Sequence, residues 1–188
     1  MNKKSDFWEL SVATYSRPGV ADACLSLQDR HSLDVNLVLF CCWYGSTRGL
    51  LNKDIFERVI VFSESWGTHV VRPLRNIRTW MKHPDSVEVW QLKKSHLNLR
   101  NAIKKSELSA ERIQQDTLEK IVSIKPINLE PQEQKINSIK NLRLYLEHYN
   151  IKLDDPSLEK LAHVVTSFVS GIDNKSTFKI IKTIFNKI

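Results

Sequence analysis

The residues from Val35 to Tyr44 constrain the fold more than any other part of this chain. They read VNLVLFCCWY, apolar except for Asn36, and Asp34 stands immediately before them. Aspartate is favoured at a helix N-cap, and a helix that is apolar nearly all round has no face to present to water. The run spans about half of the roughly 20 residues that a membrane-crossing helix needs. We therefore predict a central buried helix capped by Asp34, and no insertion into a membrane.

The composition indicates an all-helical protein. The chain has 188 residues, of which 41% are hydrophobic and 26% charged, a balance typical of folded globular proteins. It contains 5 glycines and 6 prolines, whereas all-β domains need many turns and use more of both residues. We predict an all-α protein, a multi-helix bundle with one long helix and a small C-terminal helical module.

Helical periodicity begins near the N-terminus. Asp6 is predicted to cap a first helix whose apolar stripe contains Trp8, Val12 and Tyr15, with Phe7 and Leu10 at its margins. Pro18 is predicted to end that helix and to stand in the first turn of a second one, because proline disfavours helical geometry in the residue before it and is tolerated in a first turn. The N-terminal segment lacks an apolar signal core, so we expect a cytoplasmic protein.

Prolines divide the rest of the chain. Pro73 is expected to break or kink a helix, and a long helix is predicted from Ser86 to Ile124. Residues 126–132 contain two prolines and no helical period, which favours a linker. We therefore predict a helical core domain of residues 1–125, this linker, and a C-terminal helical extension of residues 133–188.

Several short motifs follow one another along the first two thirds of the chain. They are the pattern FW...YSRPGV...CLSLQDRH..DVNLVLF..W, then VVRPLR at Val70–Arg75 and KSELSAERIQ at Lys105–Gln114. In this order they resemble a family of short γ-proteobacterial proteins known as a domain of unknown function. The resemblance implies an all-helical cytoplasmic protein and says little about function. It does not extend to residues 126–188, and Ser32 stands where glycine is expected.

The positive charge predicts an acidic partner or a solvated basic surface. The formal net charge is +7 at pH 7, from 28 basic and 21 acidic residues. The first 50 residues hold 5 basic and 5 acidic side chains, and the later segments each carry a small excess of basic residues. A charge spread in this way is more typical of a solvated surface than of a nucleic-acid footprint.

Four basic residues recur at i, i+3, i+6 and i+10, and we call them the basic ridge: Arg72, Arg75, Arg78 and Lys82. If the helix continues past Pro73, they share one face. Arginine binds phosphate and carboxylate groups through two parallel hydrogen bonds, so the basic ridge is a candidate anion or partner site. The alternative is that it forms internal ion pairs with Asp22, Asp29 or Asp34.

A second set of polar residues lies within and between the first predicted helices: Arg17, Gln28, Asp29, Asp34 and Asn36. Helix caps and hydrogen bonds between helices account for such residues in a buried region. The functional alternative is a polar patch in an apolar groove, the arrangement expected of a ligand pocket.

The patterns of common catalytic and metal sites do not occur in this sequence. The 6 histidines are scattered without H-x-x-x-H or H-E-x-x-H spacing, and there is no glycine-rich nucleotide-binding loop. Cys24, Cys41 and Cys42 match neither a disulfide framework nor a zinc pattern, so we predict reduced, buried thiols. We predict no metal, no cofactor and no catalytic residue.

These observations favour a non-enzymatic protein-interaction module that uses a groove between its N-terminal helices. The first alternative is a nucleic-acid-binding protein that uses the basic ridge and lysines of the long helix, with binding that weakens steeply in salt. The second alternative is a binding protein or enzyme for a small anionic metabolite, with Arg72 and Arg75 as a clamp and Gln28 or Asp34 orienting the ligand. The sequence identifies neither the partner nor the oligomeric state.

Overall fold

A computed structural model describes residues 6–82, 93–122 and 124–185, with the backbone alone for Lys93. The regular structure in these ranges is helical, which confirms the predicted all-α class. The α-helices are α1 (Asp6–Tyr15), α2 (Val20–His31), α3 (Val35–Thr47), α4 (Lys53–Trp66), α5 (Arg72–Trp80), α6 (Lys93–Val122), α7 (Pro131–His148), α8 (Asp155–Phe168) and α9 (Asn174–Phe185). A π-helical segment, Gly67–Val71, joins α4 to α5.

Helix α3 is the centre of the protein, as its apolar sequence predicts. The side chain of Asp34 accepts a hydrogen bond from the backbone N–H of Asn36 at 2.8 Å, so the predicted N-cap is confirmed. Every residue from Asn36 to Ser46 is buried. On the side facing α1, the ring of Phe7 stacks on that of Trp43 with centroids 4.8 Å apart. Burial on all sides explains why nearly the whole helix is apolar.

Helix α7 approaches α3 closely enough to exclude a side chain between them. A Cβ atom on Gly45 would lie 2.4 Å from the Cα atom of Ser138. The Ser138 hydroxyl also donates a hydrogen bond to the carbonyl of Cys42 at 3.1 Å. One hydrophobic cluster includes residues of α1, α3, α7, α8 and α9. The division into residues 1–125 and 133–188 stays a prediction, although α7 packs directly on the core helix.

We predicted that Pro73 breaks or kinks a helix, and the helical path does not break there. Proline lacks an N–H group and therefore leaves a carbonyl of the preceding turn without its usual donor. The π-helical segment Gly67–Val71 precedes it, and hydrogen bonds across five residues replace the α-helical pattern there. Side chains supplement the ladder, since the Thr68 hydroxyl donates to the Glu64 carbonyl at 2.7 Å. Helix α5 then begins at Arg72 and carries Pro73 in its first turn.

Two predictions about α1 and α2 were wrong. Pro18 lies in the turn before α2 rather than in its first turn, because Gly19 adopts a left-handed conformation with φ of 78° at the N-cap. The buried face of α1 carries Phe7, Ser11 and Thr14. The predicted apolar stripe of Trp8, Val12 and Tyr15 instead lies partly exposed, with Val12 exposed to 49%.

The long helix is confirmed over the described part of its predicted range. Residues 86–92 lie outside the described residues, and α6 ends at Val122 rather than at Ile124. Lys125 precedes Pro126 and is disfavoured in helical geometry, which limits extension of α6. The indole N–H of Trp66 donates to the carbonyl of Ala110 at 2.9 Å and fixes α6 against α4. Within the described ranges, the helices are too short or too polar to cross a membrane.

Substitution of Gly45 by alanine tests the close approach of α3 and α7. The added methyl group overlaps the backbone of Ser138, so we expect Gly45→Ala to lower the free energy of unfolding by about 3 kcal/mol. Gly67→Ala is the control, because a Cβ atom there meets no atom within 4 Å. Urea unfolding monitored by circular dichroism measures both. Equal stability of the two variants would contradict the packing.

Substitution of Ser32 by glycine tests the end of α2. Ser32 has φ of 56° and ψ of 27°, a left-handed conformation at the helix C-cap that glycine adopts without strain. We expect Ser32→Gly to stabilise the protein by about 0.5–1 kcal/mol. The same change at the exposed helical residue Ser65 should instead destabilise it by about 0.5 kcal/mol. A lower melting temperature for Ser32→Gly would overturn this account.

Candidate binding groove

A groove of about 780 Å³ opens between α1, α2, α3, α5 and α6, and we call it the α1–α6 groove. Its apolar lining includes Trp8 and Tyr15 of α1 and Leu39 of α3. Helices α1, α2 and α6 pack on α3, and α5 packs on α6. The predicted apolar stripe of α1, which contains Trp8, Val12 and Tyr15, lines the groove.

Large aliphatic side chains from three helices surround the opening of the α1–α6 groove. Val12 of α1, Leu25 of α2 and Leu108 of α6 line it and are exposed to 49%, 45% and 54%. Isolated exposed apolar residues are common, but their clustering around one concavity is typical of interaction sites. The opening of the groove is thus apolar.

Two arginines and two glutamates form a charged cluster at one side of the groove. Arg75 donates to Glu107 at 3.1 Å and to Glu111 at 2.8 Å. Arg78 binds both carboxylate oxygens of Glu107. We had considered ion pairs of the basic ridge with Asp22, Asp29 or Asp34, and these are absent among the described residues. Arg75 and Arg78 pair instead with glutamates of α6.

Burial and pairing shift the pKa values of this cluster in different directions. Burial favours protonation of Glu107, yet the hydrogen bonds from Arg78 and Arg75 outweigh it and hold the pKa of Glu107 below its usual value. The hydrogen bond with Glu107 raises the pKa of Arg78. Burial raises the pKa of Glu111, although Arg75 opposes that shift. At neutral pH, Glu107 and Arg78 therefore form a firmly charged pair.

An amide network connects α3 to α6 beneath the groove. Asn36 donates to the side chain of Gln114, and Gln115 donates to that of Asn36, each at 2.8 Å. Gln114 also donates to the carboxylate of Asp34 at 2.8 Å. Burial raises the pKa of Asp34 against these hydrogen bonds. The predicted polar network thus exists for Asp34 and Asn36, with partners that we had not identified.

Sequence reasoning missed Glu107, Glu111, Gln114 and Gln115. The motif KSELSAERIQ contains the first three of these residues at i, i+4 and i+7, which places them on one side of a helix. That spacing was a usable signal, because polar residues on the inner side of a long helix need buried partners. The partners could not be assigned without knowing which helix lies opposite.

Two buried polar atoms beside the α1–α6 groove have no hydrogen-bond partner among the described residues. They are the hydroxyl oxygen of Ser11 and the side-chain carbonyl oxygen of Gln115. Both residues line the groove and are exposed to 2% and 3%. A buried polar atom without a partner is costly, so these residues mark a part of the groove wall that packing alone does not explain.

The remaining candidate residues are dispersed. Arg72 binds the Thr68 hydroxyl and is exposed, and Lys82 is exposed beyond the end of α5. Arg17 donates to the carbonyl of Ser167 at 2.7 Å, far from the charged cluster in sequence. Asp29 is exposed on α2. Four of the nine predicted site residues line the groove: Gln28, Asn36, Arg75 and Arg78.

The positive charge is concentrated rather than spread, which corrects our interpretation of the sequence. Residues 72–106 contain 9 basic and 2 acidic side chains, so this segment has a formal charge of +7, equal to that of the whole chain. The structure describes two helical parts of this segment, α5 and the first half of α6, and these two helices pack on each other. The sequence segments in which we counted charge placed α5 and α6 in different segments, so none of them showed the full excess of basic residues.

The cysteines do not contribute reactive groups to the groove. Cys24, Cys41 and Cys42 are buried, which confirms the prediction of core thiols. Burial raises the pKa of Cys24 to about 12 and also raises those of the other two. Among the described residues, no group of three or more His, Cys, Asp and Glu side chains is placed to hold a metal ion.

Substitution of Glu107 by glutamine tests the charged cluster. Arg75 and Arg78 then lose their shared carboxylate, so we expect the free energy of unfolding to fall by about 2–3 kcal/mol at pH 7. The lowered pKa of Glu107 means that its contribution is present above the unfolded-state pKa and is lost as the pH falls through the folded-state pKa. The difference between wild type and variant should therefore narrow in acid.

Glu57→Gln is the matched control for that measurement. Glu57 is 58% exposed and lies 3.7 Å from Lys53, so its loss should change stability by less than about 0.5 kcal/mol. Urea titrations at pH 7 and at about pH 3 measure the differences between each variant and wild type. A difference for Glu107→Gln that is independent of pH would show that its charge does not stabilise the fold.

Comparison with known proteins assigns a family and no activity. Neither a curated protein nor a solved structure matches the chain. A family model matches residues 6–118, a range that contains every residue lining the α1–α6 groove. The model carries the description "Protein of unknown function (DUF2390)" and covers more than half of the sequence, so the chain belongs to this family.

Proposed function

We propose that this protein is a binding module whose α1–α6 groove receives an apolar segment of a partner protein. The observation that carries the proposal is the set of exposed aliphatic side chains around one concavity, Val12, Leu25 and Leu108, above the aromatic wall of Trp8 and Tyr15. Interface centres are enriched in aromatic residues, and Trp8 and Tyr15 supply such residues to this groove.

The dimensions of the groove suit a helical segment. Its lining on α6 extends from Lys104 to Gln115, which at 1.5 Å per residue corresponds to about 16 Å. A partner helix of about three turns has that length, and its residues at i, i+3, i+4 and i+7 form an apolar stripe. Such a stripe would contact Leu108 on one side and Val12 on the other. The occupant that we propose is therefore an amphipathic helix.

The charged cluster favours this proposal over an anion clamp for a small metabolite. Arg75 and Arg78 already bind Glu107, and Arg75 also binds Glu111. A phosphate or carboxylate would have to displace these glutamates, and the separated carboxylates would then lie buried without partners. The two arginines thus support the groove wall better than they serve as a clamp. Arg72, the other residue of the predicted clamp, does not line the groove.

A selection experiment tests the proposed function. The probe is a displayed library of 16-residue helical peptides with randomised apolar and polar positions. We expect wild-type protein to enrich amphipathic peptides. We expect Leu108→Glu to weaken their binding at least about tenfold, because a carboxylate at the opening of the groove must be desolvated when the peptide docks. Fluorescence anisotropy of the selected peptides measures the change.

Val61→Glu is the matched control for this substitution. Val61 lies on α4, is 69% exposed and does not line the groove, so the same charge there should leave peptide affinity unchanged within about twofold. Circular dichroism confirms that both variants are folded. Failure to enrich any peptide whose binding depends on Leu108 would refute the proposed function.

A further inference from the structure

We propose that the helical partner of the α1–α6 groove is acidic, with Asp and Glu residues beside its apolar stripe. This inference rests on the proposed function and specifies the chemistry of its ligand. It follows from where the unpaired positive charge lies relative to the groove, which the shape of the groove alone does not determine.

Five basic residues of α5, of α6 or just after α5 are exposed and belong to no ion pair among the described residues: Arg72, Lys82, Lys94, Lys104 and Lys105. They belong to, or directly follow, the two helices that also carry the charged cluster. Within that cluster, Arg75 and Arg78 are balanced by Glu107 and Glu111. On α5 and α6 positive charge therefore remains after these pairs are formed, whereas α2 on the other side of the groove carries the exposed Asp22 and Asp29.

Lys104 brings this charge to the groove itself. It lines the α1–α6 groove and lies one helical turn from Leu108 on the same face of α6. Lys105, the next residue, is also exposed and extends the charge outward from the rim. A helix whose apolar stripe contacts Leu108 would place its flanking side chains beside these two lysines. Opposite charges in those flanking positions favour association, whereas lysines there would be repelled.

The apolar rim favours an acidic helix over a nucleic acid, which carries the same sign of charge. A phosphate backbone offers no apolar side chains to cover Val12, Leu25 and Leu108. Aromatic stacking of bases would need open ring faces, but the guanidinium of Arg112 lies 5.6 Å from the ring centre of Trp8. An acidic amphipathic helix satisfies both the apolar and the charged parts of the surface.

The test measures the charge of the peptides that the groove selects. In a second displayed library the apolar stripe is fixed, and each polar position is Glu, Lys or Gln with equal frequency. We expect wild-type protein to enrich Glu over Lys at the flanking positions. The double variant Lys104→Glu, Lys105→Glu should weaken the selected acidic peptides about tenfold and should itself enrich Lys. The preference of wild type should decline as the salt concentration rises.

The double variant Lys175→Glu, Lys179→Glu is the matched control. Both lysines are exposed on α9 and neither lines the groove, so this variant has the same change in net charge and should retain the acidic preference. A fluorescent oligonucleotide of 20 deoxythymidines is measured alongside the peptides. The expected result is oligonucleotide binding that is much weaker than that of the acidic peptides.

The outcomes separate the two proposals. If peptides bind in a Leu108-dependent manner but show no excess of Glu, the acidic partner is refuted and the proposed function stands. If no peptide depends on Leu108, the proposed function fails as well. If the oligonucleotide binds more tightly than the peptides, depends on Lys104 and Lys105, and is unaffected by Leu108→Glu, the basic surface serves a nucleic acid and the inference is overturned.

Discussion

The hydrogen bonds between Asn36 and the side chains of Gln114 and Gln115 determine how the rest of the structure is arranged. Asn36 is a buried polar residue in a helix that is otherwise apolar, and leaving its amide unpaired would cost about 1–3 kcal/mol. Its two partners lie next to each other on α6, so a shift of α6 by a single residue would break both bonds. The network therefore fixes the register of the long helix against the core.

The charged cluster depends on that register. Glu111 and Glu107 precede Gln114 by one and two helical turns, so fixing Gln114 against α3 also fixes the height of both carboxylates. The π-helical segment Gly67–Val71 affects the orientation of α5, which carries the two arginines of the cluster. A π turn holds an additional residue, which rotates the following helix by about 100° relative to an uninterrupted α-helix. With this rotation, Arg75 and Arg78 face the carboxylates of α6 and bind them.

Local features could be predicted from the sequence, whereas contacts between helices could not. The central helix and its Asp34 cap were predictable, because an apolar run and an N-cap residue act locally and permit few alternatives. The α1 stripe was misassigned because Trp8 and Tyr15 are apolar enough for a core, yet Phe7 and the small residues Ser11 and Thr14 fit closer to α3. Periodicity identifies faces of a helix, whereas the neighbouring helix decides which face is buried.

The distribution of charge in the folded protein was also not predicted from the sequence, and it bears on function. A sequence divided into windows averages residues that fold apart and separates residues that fold together, so the concentration of charge over residues 72–106 was hidden. Once α5 is known to pack on α6, most of these basic residues lie on two neighbouring helices, and the two arginines that line the groove are already paired with glutamates. For the partner that we propose, electrostatic attraction would act through Lys104 at the edge of the groove, where desolvation opposes it less than in the interior. An apolar opening with a lysine at its edge would then combine affinity from burial with selectivity from charge.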